Sequence, residues 1–426
     1  MRFFQPLLII LAAAGLLLPS GSLSAATDAE YIAQFINYQS SFGQINDPVP
    51  TLDEYFAETI PRFDEQYVDN IQVWVDQIAD QQNILGEMGW TSSAVSTSLN
   101  DMYAVTGDLK YLRASLEITR ISLQVRDDKI GRTTFWGESA PGWSTPRYAL
   151  RWVIHPVHTA MITWGMLESL WLAQANPVAM AELGDEFDSI LAQAAGSIDW
   201  HNRQWVEGPA SDEGYYIYKD NEPDREGQRL PFNRQSTMGR SLWMLYKLGG
   251  NPEHRDKAIK LATFLKRRLH LFLTPDTNEG VWFWEYTLPN SPRNNPYPWS
   301  QLWRVGTGDD LSHGSLSMEF YVLMANDGQV FTHEDMQALA RTVTYGFARL
   351  DNGILFGNVA GSPDLHDPSY VANTGYWLRL TPYNPEVYDR IAAFMLKYQQ
   401  EPRGLDLAKL VRWKMPSAVP QSWLYE

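Results

Sequence analysis

The sequence predicts an all-α fold: an (α/α) toroid, an incomplete barrel of six or seven helical hairpins. Three observations lead there. Apolar helical segments alternate with amphipathic ones along the chain. Short turns, such as Thr106-Gly107-Asp108 and Leu248-Gly249-Gly250, join an apolar segment to its amphipathic successor. Long, aromatic connections lead into the next apolar segment. A helix that is apolar all round is buried, and an amphipathic one covers it. Repeated hairpins of this kind therefore form a ring of inner helices wrapped by outer ones.

The elements follow in order. A stripe of 3.6-residue period runs from Tyr55 to Gln82. Trp90–Ala104 is apolar and Leu109–Gln124 returns. His155–Gln174 is apolar on most sides, with Pro156 suited to the first helical position, and Ala179–Ile198 returns. Ser236–Leu248 pairs with Glu253–Leu271, and Ser312–Met324 with Glu334–Leu350. Tyr370–Leu380 and Pro385–Gln400 make the last pair. No Pro/Ser-rich linker divides the chain, so residues 27–426 are expected to form one domain.

The first 26 residues read as a secretory signal. Arg2 precedes an apolar run from Leu7 to Leu18, then a Pro-Ser-Gly break and the small residues Ser24 and Ala26, with cleavage expected after Ala26. The run is short for a membrane span and no second one follows. There is no cysteine for a lipid anchor or a disulfide framework. An exported bacterial protein, periplasmic or extracellular, a monomer without a membrane anchor, is the expectation. The formal charge is −16, and −17 once Arg2 leaves with the signal. That balance disfavours nucleic acid and anionic membranes as partners. Aromatic residues make up 13 %, with 17 Trp, many in loops where flat rings suit sugar faces or fill a large helical core.

The long connections mark the functional end. They run through Ser139–Tyr148, Glu213–Gln235 and Val281–Asp310. Long loops inside a compact domain are usually functional. Here they deliver the chain to inner-helix N-termini, whose free N–H groups favour an anion. His155 and His158 open one such helix. Asn233, Arg234 and Gln235 stand before a second. His313 opens a third, with Asp309 or Asp310 as its cap. Trp143 and Arg147 lie in the first loop. Arg293, Tyr297, Trp299, Trp303 and Arg304 lie in the third, where arginine forks suit carboxylates. The Asp309–Asp310–His313 spacing matches no specific metal motif, so neither a metal nor a cofactor is expected. No nucleophile elbow or phosphate-binding glycine loop appears.

With the helical hairpins and leader, the helix starts His155-Pro156-Val157-His158, Pro231-Phe232-Asn233-Arg234-Gln235 and Asp309-Asp310-Leu311-Ser312-His313-Gly314 resemble the secreted bacterial polysaccharide lyases of helical-toroid fold, such as alginate and glucuronan lyases. The resemblance implies β-elimination on a uronate-containing, anionic polysaccharide. Such a reaction neutralises the sugar carboxylate, removes a proton from C5 and protonates the departing oxygen. Asn233 would assist at the carboxylate with Arg234, Arg293 or Arg304. His313 and Tyr297 would move protons, with Tyr286 and Tyr370 as alternatives to Tyr297. His158, Trp143, Arg147 and Trp303 would contact substrate. Two other readings stay open. One is a glycoside hydrolase on the same toroid, using two carboxylates from Glu138, Asp212, Glu213, Glu285, Asp309 and Asp310. The other is a non-catalytic periplasmic glycan-binding protein.

Overall fold

A computed structural model describes residues 28–38, 47–149, 151–219, 225–306, 308–350, 352–362, 371, 374–398 and 404–414. The expected signal, residues 1–26, and Tyr370 lie outside them. Fifteen α-helices are placed. They are α1 (Asp28–Tyr38), α2 (Leu52–Asp64), α3 (Ile71–Gln81), α4 (Ser93–Thr106), α5 (Leu109–Gln124), α6 (Asp127–Ile130), α7 (Pro156–Gln174), α8 (Pro177–Leu183), α9 (Glu186–Asp199), α10 (Phe232–Gly249), α11 (Pro252–Lys266), α12 (Leu311–Asn326), α13 (His333–Arg341), α14 (Glu386–Tyr398) and α15 (Gly404–Lys414).

Six inner elements close a circle. α4 packs on α7, α7 on α10, α10 on α12, α12 on the 3-10 helix Gly375–Leu380, that helix on α15, and α15 on α4. The outer layer is α5 over α4, α9 over α7, α11 over α10, α13 over α12, α14 over the 3-10 helix, and α2 over α15. The architecture is an (α/α) toroid of six hairpins, in which the fifth inner position is a short 3-10 helix. Among the described residues, no helix is long and apolar enough to cross a membrane.

Local chemistry sets the hairpins. Gly107, at φ +68°, ends α4 in the left-handed region that favours glycine, and the Asp108 carboxylate then caps α5 through Lys110 N–H. Gly250, at φ +72°, and Asn251 repeat the device between α10 and α11. Inner helices approach closely where a side chain is missing. A Cβ on Gly165 would stand 2.5 Å from Ser96 Oγ, and one on Gly239 2.4 Å from Phe320 Cζ. Phe320 is fully buried and cannot swing away. Gly239→Ala is therefore expected to destabilise the fold by about 1–3 kcal/mol, the usual range for overpacking, read as a lower urea midpoint at unchanged slope.

Several boundaries differ from the sequence reading. The single stripe Tyr55–Gln82 is two helices, α2 and α3, broken at Asn70. Ala179–Ile198 divides into α8 and α9 at Gly184. α10 begins at Phe232, so Asn233 to Gln235 are helical rather than loop residues. α11 stops at Lys266, and His270–Leu273 is a strand. That strand pairs antiparallel with Gly280–Phe283 and parallel with Tyr297–Pro298, folding the third long connection against the outside of the ring. α1, α6 and α15 have no counterpart among the elements the sequence predicts.

The lumen of the ring is layered. Below the inner-helix starts lies an apolar floor of Val157, Met161, Leu316 and Tyr376, with Trp90 packed against it. Deeper still, the inner elements contribute buried charges. Glu319 on α12 stands between Arg240 on α10, at 3.0 Å, and Arg379 on the 3-10 helix. Asp101 on α4 pairs with Lys409 of α15 at 2.6 Å and lies 3.7 Å from Arg412. Asn100 reaches Glu168 of α7 at 3.2 Å. Burial, then the charges of Asp101 and Glu319, push Glu168 up to about 7.

Candidate functional site

The loop-bearing ends of α7, α10 and α12 meet around the mouth of the lumen. On the α12 side, Asp310 is the N-cap: its Oδ1 accepts His313 N–H at 2.9 Å, and its Oδ2 lies 2.5 Å from His313 Nδ1. Asp309 is fully buried. Its backbone is held on both sides, N–H to Trp284 O and O to Val359 N–H, each at 2.8 Å. Its Oδ2 accepts Trp284 Nε1–H at 2.9 Å, and its Oδ1 has no hydrogen-bond partner among the described residues. Burial, then the neighbouring Asp310 charge, pushes the Asp309 carboxyl up to about 8. Burial opposes charge on His313, yet the Asp310 hydrogen bond and charge leave its pKa raised. Asp309 is thus held as a carboxylic acid at neutral pH beside the hydrogen-bonded His313–Asp310 pair.

Tyr286 completes this side, its ring 5.0 Å from that of His313 and edge-on. Burial pushes its hydroxyl up to about 12, so it is a proton donor at neutral pH rather than a base. The strand Gly280–Phe283 continues with alternating sides: Trp284 meets Asp309 and Tyr286 meets His313, while Glu285 turns away to His270 and Arg293.

The α7 side carries His155 and His158, both buried, with Trp90 and Tyr148. Trp90 Nε1–H donates to Tyr148 Oη at 2.7 Å. Burial and then the nearby Arg234 and Arg147 charges push His158 down to about 3, so it is neutral. Arg234, in the first turn of α10, lies between the two sides. Its guanidinium is 5.5 Å from the Tyr218 ring, and its charge acts on His155, His158, Tyr148, Tyr286 and His313. Asn233 beside it is buried, with Oδ1 lacking a partner among the described residues.

The structure therefore brings together His313, Asn233, Arg234 and His158, with Arg147 behind His158 bonded to Leu85 O at 2.7 Å and Glu87 at 2.8 Å. Other expected site residues stand elsewhere. Trp143 is fully buried, its Nε1–H donating to Ser122 O at 2.7 Å, and leaves no face for a ligand. Tyr297 packs on Phe272 and His270 in the outer sheet, its hydroxyl accepting Asn294 N–H at 3.0 Å. Arg293 pairs with Glu285 at 2.8 Å and lines an outer hollow of about 470 Å³ with Lys266, Arg267 and Trp282. Trp303 is 72 % exposed, under the Arg304 guanidinium, which also covers Tyr297. Trp299 packs against Phe283 and Tyr345.

Among the expected acids, Asp309 and Asp310 are at the mouth. Glu138 pairs with Arg203, Asp212 with Arg267, and Glu213 with Arg267 and Arg268. The donor atoms of Asp309, Asp310 and His313 lie within 4.8 Å of one another, close enough to gather round a metal ion. The 2.5 Å approach of Asp310 Oδ2 to His313 Nδ1 is instead that of a hydrogen bond, with no room for an ion between those two atoms. Missed by sequence reading were Trp90, Tyr148 and Tyr376.

No protein-family model matches the chain, and no curated protein does. Solved structures do. The GH76A α-1,6-mannanase of Salegentibacter sp. HEL1_6 is 12 % identical with TM-score 0.46, over 80 % of this chain and 96 % of that one. An inactive variant of that enzyme in complex with α-1,6-mannotriose is 11 % identical with TM-score 0.44 over the same shares. A D-mannose isomerase is 12 % identical with TM-score 0.43, over 71 % of this chain and 72 % of that one. None of the three is a polysaccharide lyase. Likeness at this level concerns the path of the chain and not its activity.

Proposed function

We propose that the chain is a carbohydrate-active enzyme that hydrolyses a glycosidic bond at the loop-bearing mouth. The observation that carries this reading is the Asp309–Asp310 pair: two adjacent carboxyl groups whose surroundings make one of them an acid at neutral pH. Such a division of roles is what glycoside hydrolysis needs. An oxygen of one lies no more than 4.8 Å from an oxygen of the other. That is too close for the inverting route, which needs roughly 6.5–9.5 Å between carboxyl groups, and leaves the retaining one. Asp309 Oδ1 is unpartnered among the described residues but covered, so substrate must displace what lies over it; its proton then passes to the glycosidic oxygen as the bond to the anomeric carbon breaks. Asp310, oriented by both N–H groups of His313, forms the bond to that carbon. Water then cleaves the glycosyl ester, with Asp309 taking the water proton.

A second reading, elimination on a uronate, is favoured by the Arg234 cation and by His313, whose pKa is raised, at the same mouth. It uses the same acid to protonate the departing oxygen. The Tyr297 role expected from sequence would pass to Tyr286, which stands beside His313.

Products separate the two. Hydrolysis of α-mannan, glucuronan or alginate oligosaccharides releases new reducing ends, of retained anomeric configuration by proton NMR. Elimination gives a conjugated, ultraviolet-absorbing end instead. Neither product from any of these would remove both readings. Since burial and the Asp310 charge push the Asp309 carboxyl up to about 8, kcat/KM is expected to fall as pH rises through that value. A profile still flat at pH 10 would remove Asp309 as the acid.

A further inference from the structure

The α7 side of the mouth has no part in the bond-breaking chemistry above, yet it is built to close tolerance. Asn83 decides what it offers. Asn83 Oδ1 accepts Met88 N–H at 3.2 Å, and Asn83 Nδ2 donates to Trp143 O at 2.8 Å. These two backbone partners, one donor and one acceptor, allow the amide a single orientation. The same Nδ2 faces His158 Nδ1 at 3.5 Å. His158 Nδ1 is therefore the unprotonated nitrogen, and the proton of the neutral ring sits on Nε2.

That Nε2–H is buried, the residue being 1 % exposed, and has no partner among the described residues. A buried N–H without an acceptor costs about 1–3 kcal/mol. The ring is fixed in place. A Cβ on Gly89 would stand 2.7 Å from its Cγ, and Trp90, Tyr148 and His155 meet it at ring distances of 5.3, 5.6 and 5.5 Å. Tyr148 adds a second donor. Its oxygen accepts from Trp90 Nε1, so its own proton is left to donate. The Tyr148 side chain is 46 % exposed and Trp90 is half-buried. Two donors on an aromatic wall match a ligand that is rich in oxygen acceptors and flat on one side.

We propose that this side is the sugar-recognition half of the site: a pyranose ring lies against Trp90 and Tyr148, the exposed Tyr148 ring shifts to uncover His158 Nε2–H, and that N–H and the Tyr148 O–H donate to the sugar's oxygen atoms. This assignment rests on the glycan reading above. His158 and Tyr148 are binding residues here, separate from the proton-transfer group Asp309.

The test is binding measured apart from turnover. Calorimetric titration of the Asp309→Asn protein is done with α-1,6-mannotriose, a neutral probe, and with a glucuronan tetrasaccharide, an acidic one. His158→Phe, which keeps the ring shape and removes the donor, is expected to weaken the bound probe about tenfold, and Tyr148→Phe about threefold. His158→Gln, which retains an N–H donor, is expected to recover part of the loss. In the wild-type protein, nitrogen-15 NMR is expected to show the Nε2–H tautomer of His158, with that proton moving downfield on probe binding. Equal affinity in His158→Phe, or an Nδ1–H tautomer, would overturn the assignment. Binding that depends on His158 without any turnover by wild type would uphold the recognition wall and remove the hydrolase reading alone. Failure of both probes to bind any form would overturn both.

Discussion

Asp309→Asn is expected to lower turnover by about 10²–10⁴-fold while leaving the protein folded, the range for loss of one general acid. The side chain's structural contact survives, because the asparagine carbonyl still accepts Trp284 Nε1–H, which Asp309 Oδ2 accepts at 2.9 Å. The backbone ties to Trp284 and Val359 do not involve the side chain. What is lost is the dissociable proton. Asp309 has a raised pKa, so its proton is bound in the folded chain where the unfolded chain has released it. Its contribution to stability is full below the unfolded value near 3.8 and is lost as pH rises through about 8. An asparagine, which never ionises, is then expected to leave stability above pH 8 unchanged or improved. Rates on an activated aryl glycoside, whose leaving group needs no proton, should fall far less than rates on an oligosaccharide. Loss of equal size on both substrates would show that Asp309 does something other than protonate the leaving group.

Glu319→Ala is expected to cost about 3–5 kcal/mol of stability, the cost of leaving a buried charge uncompensated. Arg240 and Arg379 both turn to this one carboxylate, and all three side chains are at most 2 % exposed. Burial works against the charge of Arg240, and Glu319 is the first of the influences that support it. Removal leaves two guanidinium groups facing each other in the lumen. Glu319→Gln keeps the shape and accepts a hydrogen bond, so it should fall between wild type and alanine. Urea denaturation of the three proteins checks the order. An alanine variant as stable as wild type would mean that water or another group compensates the arginines.

Much of the ring is readable from the chain because its inner helices α7 and α12 are buried on almost every side, which leaves a long, mainly apolar run in each. α15 breaks that rule. Asp406, Lys409 and Arg412 are all buried, so this inner helix looks like a surface helix to any reading of hydrophobic period. The site divides the same way. His313 is legible because a loop, a cap and a helix start are consecutive in sequence. The choice of tyrosine is not. Tyr297 lies near Arg304 in the chain and in space, but the sheet formed with the His270–Leu273 strand carries both to the outside. Strict alternation in Val281–Tyr286 points to Tyr286, since Trp284 and Tyr286 share one side and Glu285 the other. Trp143 and Tyr148 belong to one loop, yet the first ring fills the core and the second edges the mouth. Composition cannot separate two aromatic rings five residues apart.

The sequence by itself determined the class of fold, the order of its hairpins and the three helix starts from which the site is built. Those properties depend on neighbours along the chain: an apolar period, a cap, a glycine turn. Tertiary structure alone decided the closure of the ring by α15, the pairing of buried charges across the lumen, and the protonation of Asp309 and His158. These depend on groups brought together from distant positions and on the water excluded between them. A carboxyl or an imidazole takes its charge from that surrounding dielectric and not from its place in the chain.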